Sequence, residues 1–170
     1  MISPELLRRY PFFAGLNTAE LQALAETGDV NDYEKDHYFF GSEDILDTFY
    51  LLIEGEVGIL MEITAHNASH SLADQLSGKV RTREIEVATV GPGEVFAWSA
   101  LFPPHESTGA AKAMSPVQAV AFDASQILRV FKNHPDFGYR MLQKLASVLQ
   151  KRLQDRRIEL IAERTINFSS

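Results

Sequence analysis

The sequence predicts a mainly β domain with helices at both ends. Three observations carry that expectation. Between Asp29 and Val90 the apolar residues fall in short runs rich in β-branched and aromatic side chains, separated by turn residues. Residues 28–63 show no helical periodicity. Helical spacing returns after Asp123, and Leu142, Leu145, Leu149 and Leu153 follow one another at three, four and four residues, placing them on one helical seam.

Taken in order, Ser3 caps a short helix over Pro4–Arg9, with Pro4 in its first turn. Tyr10 to Leu16 is an apolar connector. Asn17 or Thr18 caps a second helix, with Leu21, Leu24 and Ala25 on one face and Gly28 at its end. Strands are expected over Tyr38–Phe40, Thr48–Ile53, Glu56–Ile63 and Arg83–Val90, with a tight turn at Gly55. Ala65 to Arg81 is polar and weakly patterned, which suits a long hairpin loop or insertion. A further apolar run, Val117 to Phe122, leads into a helix from Asp123 to Phe131, broken at Asn133-His-Pro135. A longer helix then starts at Pro135 or Asp136 and reaches about Arg164. The expected organisation is a domain over 1–134 and a dimerising helix with a short tail over 135–170.

Composition removes several functions. The 170 residues contain no cysteine, so there is no disulfide framework, thiolate metal site or cysteine nucleophile. That suits a reducing cytoplasm, as does an N-terminus without the basic and apolar regions of a signal peptide. No apolar run approaches the ~18 residues a membrane span needs. A formal net charge of −7 opposes nucleic-acid binding through a general field. Neither a G-x-S-x-G elbow nor a G-x-x-x-x-G-K-[ST] loop occurs, and no carboxylate pair forms an evident catalytic constellation. An enzyme is not expected. His66 and His70 are four apart but lack a third ligand, and the five histidines are scattered, so neither a metal nor a cofactor is expected. The C-terminal helix carries seven basic residues against four acidic ones, read as a solvated face beside the leucine seam.

The most informative stretch is Gly91 to Ala113, GPGEVFAWSALFPPHESTGAAKA. A glycine turn precedes a short segment with helical potential, then two prolines, then small residues that can form a strand. Small side chains at a helix start can aim backbone N–H groups at an anion. Yet no Lys or Arg lies between Arg83 and Lys112.

Together with Tyr50 to Ile59, Gly41 to Asp44 and the run after Ala113, this order of elements resembles the cyclic-nucleotide-binding domain of catabolite-activator-like regulators, kinase regulatory subunits and nucleotide-gated channels, over roughly residues 5–160. The resemblance implies a jelly-roll-like β-roll, or double-stranded β-helix, with a long C-terminal helix that forms a homodimer and closes over a ligand. It implies a regulatory sensor responding to a small-molecule effector by a population shift of that helix. It also implies a phosphate cassette, in which a Gly gives close backbone approach, a Glu holds the ribose hydroxyl and an Arg pairs with the cyclic phosphate. Phe96, Ala100, Leu101 and Ala113 match the cassette. Ala97 stands at the Gly, Trp98 at the Glu and Ser107 at the Arg, beside the acidic Glu106. Losing a charge-assisted Arg–phosphate pair costs about 1.5–3 kcal/mol, roughly ten- to a hundredfold in affinity.

Phe96, Ala97, Trp98, Ser99, Ala100, Ser107 and Thr108 are therefore the ligand-pocket candidates. Trp98 either stacks on a flat ligand or fills the space a nucleotide would occupy, and the second is favoured because two ligand-holding residues are replaced. Ser99, Ser107 and Thr108 either donate to a small polar ligand or satisfy turn backbone, the latter being the commoner use. His105 is a candidate for anion binding when protonated, or an exposed loop residue. The rival to the sensor is a ligand-free interaction module held together by the leucine seam.

Overall fold

The computed structural model describes residues 1–64 and 82–168, with the side chains of Thr64, Thr82 and residues 163–168 left out. The expected loop over 65–81, with His66 and His70, lies outside the described residues. The chain divides into two compact units, Met1–Ile127 and Leu128–Ser170.

The first unit opens with α1 (Pro4–Arg8), capped by the Ser3 hydroxyl accepting from the Glu5 amide, and a 3-10 turn, Pro11–Phe13. Asn17 caps α2 (Thr18–Ala25) in a reciprocal box. Its side chain accepts from the Glu20 amide, and the Glu20 carboxylate accepts from the Asn17 amide, each at 2.9 Å. Among the described residues eight strands follow: β1 (Gly28–Tyr33), β2 (Tyr38–Phe40), β3 (Thr48–Glu54), β4 (Val57–Thr64), β5 (Thr82–Val90), β6 (Val95–Phe96), β7 (Ala110–Ala113) and β8 (Val117–Asp123). They form two antiparallel four-stranded sheets, ordered β1-β8-β3-β6 and β2-β7-β4-β5. Neighbours distant in sequence, such as β1 with β8 and β2 with β7, make this the expected β-roll.

Gly28 does not end α2. The helix stops at Ala25 with Glu26 as C-cap, and Gly28 is the first residue of β1, opposite Phe122. A Cβ there would lie 2.7 Å from the Phe122 ring, so the glycine makes room for a buried aromatic rather than a helix terminus.

Alternation along β3 sorts the aromatic core into two sets. Phe49 pairs with Phe122 across the strands, ring centroids 5.8 Å apart, and these rings meet Phe12 and Phe13 of the 3-10 turn at 6.1 and 6.3 Å. Tyr50 points the other way. It stacks on Phe96 of β6 at 4.8 Å and meets Phe39 of the second sheet at 5.2 Å; Phe39 in turn reaches Tyr33 of β1 at 4.7 Å. The two sheets are joined through this second set.

The helix α3 (Ala124–Asn133) crosses from the first unit into the second. Asp123 caps it, accepting from the Ser125 hydroxyl at 2.6 Å, the Gln126 amide at 3.0 Å and the Gln126 side chain at 2.9 Å. These hydrogen bonds, first Ser125 and then Gln126, bring the Asp123 carboxyl down to about 2. A carboxylate with a depressed folded value stabilises the fold above its unfolded value and loses that contribution as pH falls through the folded one. Asp123→Asn is therefore expected to flatten the acid limb between about pH 4 and pH 2, read as the melting temperature across that range.

The second unit holds α4 (Pro135–Phe168), with Phe131 and Phe137 edge to face at 5.5 Å across the turn before it. Along α4, Phe137, Met141 and Leu145 are buried. Leu142, Leu149 and Leu153 are exposed by 41%, 40% and 55%, so Leu145 differs in environment from the other three members of the expected seam. No described helix is long and apolar enough to cross a membrane.

Candidate functional site

The Gly91–Ala113 stretch is held by hydrogen bonds at its entry and along its return. At its entry the Gly91 amide donates to the Glu94 carboxylate at 2.7 Å, and Gly93, at φ 84°, donates to the Leu52 carbonyl at 2.8 Å. β6 then delivers Phe96 into the ring cluster. The chain leaves β6 through Ala97 at φ 59°, ψ 32°, a left-handed conformation. Ala97 stands where the resemblance places glycine, and the backbone keeps the shape glycine would favour. Ala97→Gly is expected to stabilise the protein by about 0.5–1 kcal/mol, because the left-handed region costs an L-residue about 1–2 kcal/mol and the larger entropy that glycine loses on folding offsets part of that gain. A shift in urea midpoint at unchanged slope is the measurement that checks it.

A 3-10 turn, Trp98–Leu101, follows. Trp98 and Ser99 are half-buried, while Ala100 and Leu101 are buried. Phe102 returns to extended backbone, Pro103–Pro104 is cis, and His105 is left-handed at φ 64°. The His105 ring is half-buried, and its Nδ1 donates to the Ala100 carbonyl at 2.9 Å, since a carbonyl can only accept. That bond ties the end of the loop back to the 3-10 turn.

Ser107 is 4% exposed, and its hydroxyl is used twice. It donates to the Gly41 carbonyl at 2.6 Å and accepts from the Asp44 amide at 3.0 Å. Its backbone does the same: the Ser107 amide donates to the Asp44 carbonyl at 2.9 Å, and the Glu43 amide donates to the Ser107 carbonyl at 3.2 Å. Leu46 donates to the His105 carbonyl at 2.7 Å, and Ile45 bridges Glu106. The cassette is thus stitched to the β2–β3 loop at the position that the resemblance assigns to the phosphate arginine. The Ala100, Phe102, His105 and Ser107 amides all donate to protein carbonyls. Thr108 is exposed.

Lys112, near the end of this stretch, is already partnered. Its ammonium lies 2.7 Å from the Asp36 carboxylate and 5.3 Å from the centre of the Tyr38 ring. The Asp36 hydrogen bond raises the Lys112 value and, reciprocally, lowers that of Asp36.

The sequence reading expects the Tyr38–Phe40 strand and counts Gly41 to Asp44 among the family-like elements, but does not place either at the site. Gly41 and Asp44 complete the Ser107 network, and Phe39 joins the ring cluster; the aromatic run Tyr38-Phe39-Phe40 was the available signal. Within the cluster, burial and then the neighbouring Tyr33 push the Tyr50 phenol up to about 12. Among the described residues no group of three or more His, Asp or Glu side chains is placed to hold a metal ion.

The first unit is thus a two-sheet β-roll in which a 3-10 turn and a loop separate β6 from β7. The family model of the cyclic nucleotide-binding domain matches residues 30–134, and the chain belongs to that family. It is similar to the CRP-like cAMP-activated global transcriptional regulator of Mycobacterium tuberculosis, 24% identical over 147 residues that cover 86% of this chain and 58% of that one. The chain therefore spans little more than half the length of that relative. A candidate cyclic nucleotide-binding protein of Geobacter metallireducens has the same fold (TM-score 0.72, 26% identity, covering 90% of this chain and 99% of its own). So does the sensor domain of the transcriptional regulator DNR of Pseudomonas aeruginosa, with TM-score 0.62, 23% identity and coverage of 88% and 95%.

Proposed function

We propose that this chain is a regulatory sensor domain in which a cyclic mononucleotide is not the principal ligand. One observation carries the reading: the side chain at the arginine position is a buried serine whose hydroxyl is spent on the Gly41 carbonyl and the Asp44 amide. A hydroxyl so engaged has no spare donor for a phosphate oxygen. Trp98 in place of the ribose carboxylate removes the second contact, and the adjacent Glu106 repels an anion. The relatives named for cyclic AMP support an effector-binding ancestry, and the regulatory role rests on membership of their family.

A thermal-shift screen with cyclic AMP, cyclic GMP, cyclic dinucleotides and small organic anions tests this. A ligand at about a hundred times its Kd stabilises by roughly 2.7 kcal/mol, a shift of several degrees for a domain of this size. The expected result is little or no shift with either cyclic mononucleotide. A shift of several degrees with cyclic AMP overturns the reading.

A second reading, a ligand-free assembly module, is favoured by the exposed Leu142, Leu149 and Leu153 of α4, which lie at seven- and four-residue intervals. On that reading the chain is a homodimer, and Leu149→Glu with Leu153→Glu gives monomers by sedimentation. Because both side chains are already exposed, their replacement is not expected to unfold the monomer.

A further inference from the structure

Along α4, Leu142, Ala146, Leu149, Leu153 and Leu160 recur at four, three, four and seven residues, and all are exposed. At about 100° per residue they fall within roughly 60° of one another, the narrow stripe of a coiled-coil helix. The buried Leu145 lies beside this stripe rather than on it. Arginines surround its second half. Arg156 takes the stripe position between Leu153 and Leu160, and Arg152 and Arg157 flank it. Lys151 to Arg157 holds four basic residues against Asp155 alone, in a chain with a formal net charge of −7. We propose that this stripe docks an acidic amphipathic helix of another protein, whose apolar residues cover the leucines and whose carboxylates meet Arg152, Arg156 and Arg157.

Charge decides between such a helix and a second copy of this chain. Residues flanking a coiled-coil stripe set which partner is accepted. In a parallel pair of identical helices Arg156 would oppose the partner's Arg156, and Arg152 would face the partner's Arg157. In an antiparallel pair the arginines would run along Phe137 to Gln154, a stretch with no Asp or Glu. Either arrangement sets like charges together and disfavours the self-pair. Arg156 does touch Glu159 of its own helix at 2.7 Å, but both side chains are more than half exposed. Such a pair contributes little, and the remaining guanidinium donors can take a partner carboxylate.

Shape decides against two other acidic surfaces. A helix that lies in a lipid interface sinks a whole apolar face among the acyl chains. Here Gln143, Gln150 and Arg157 border the stripe on one side and Arg152 on the other, which leaves room for one helix. The phosphates of a nucleic acid would pair with the arginines but leave the leucines uncovered. The proposal does not rest on the cassette or on the sensor reading. It uses the same face as the homodimer of the second reading, so one experiment must separate the two.

The test titrates the whole chain into a labelled peptide of about three heptads with Leu at a and d and Glu at e and g, read by fluorescence anisotropy. A peptide with Lys at e and g is the comparison. Saturable binding of the Glu peptide is expected, roughly tenfold or more tighter than that of the Lys peptide and weakened by salt. Arg156→Glu with Arg157→Glu is expected to reverse that order, with the melting temperature retained because both side chains are exposed. Equal affinity for the two peptides, or no saturable binding of the Glu peptide below roughly 100 µM, overturns the proposal. So does tighter binding to phosphatidylglycerol vesicles than to the Glu peptide. A homodimer by sedimentation that Leu149→Glu with Leu153→Glu dissociates, and that the Glu peptide leaves intact, supports the second reading and overturns this one.

Discussion

Ser107→Arg combined with Trp98→Glu is expected to raise affinity for cyclic AMP by roughly ten- to a hundredfold. The frame that would receive these side chains is intact. Ala97 already adopts the left-handed turn, the 3-10 segment Trp98–Leu101 follows it, and β7 begins two residues after Thr108. What is absent is charge: a guanidinium to pair with the phosphate and a carboxylate for the ribose. The same double variant is expected to be less stable without ligand. A guanidinium in place of the Ser107 hydroxyl can donate to the Gly41 carbonyl but cannot accept from the Asp44 amide, and losing that part-buried hydrogen bond costs about 1 kcal/mol. The two effects separate experimentally. Urea unfolding of the apoprotein gives the loss, and calorimetry with cyclic AMP gives the gain. A variant that loses stability but gains no nucleotide affinity would show that features beyond these two residues set the ligand.

Gly55→Ala is expected to destabilise the protein by at least about 3 kcal/mol, enough to remove much of the stability of a domain this size. Gly55 turns the chain between β3 and β4 at φ 91°, a conformation L-residues rarely adopt. A Cβ built there lies 2.2 Å from the Pro116 carbonyl oxygen and 3.0 Å from the Val117 Cα. Both are backbone atoms at the entry to β8, so no side-chain rotation relieves the clash. Relief requires the turn or β8 to move, and β8 pairs with both β1 and β3. Gly91→Ala is the control: its Cβ meets only the Glu94 carboxylate at 3.7 Å, and a change within about 0.5 kcal/mol is expected in chemical denaturation.

Much of the fold is legible in the sequence because local chemistry and global packing agree. Ser3, Asn17 and Pro135 mark helix starts with side chains that have a capping or conformational reason to be there. Tyr38–Phe40 appears as a strand with the expected bounds, and Thr48–Ile53 and Val117–Phe122 each extend by one residue. β1 is harder to read. Its Gly-Asp-Val-Asn-Asp-Tyr composition has little strand propensity, and pairing with β8 along its whole length supplies the order that propensity does not. Gly28 misleads for the same reason: its neighbour in space, Phe122, is almost a hundred residues away in sequence.

The cassette shows the same division. The residues at the positions that the resemblance gives to arginine and glutamate, and the glycine turn, can be read from the letters alone. The use of Ser107 cannot, because its partners Gly41 and Asp44 lie in another loop, and only the pairing of β2 with β7 brings those loops together. Nor can spacing separate Leu145 from Leu142, Leu149 and Leu153, since a regular seam carries no information about which of its members are buried.

Isothermal titration of the unmodified chain with cyclic AMP tests most directly whether the serine-stapled cassette has given up the phosphate. The prediction is no saturable heat at nucleotide concentrations below roughly 100 µM, consistent with loss of a charge-assisted pair and a ribose contact. A one-to-one isotherm with a Kd tighter than that, lost on Ser107→Ala, would contradict it.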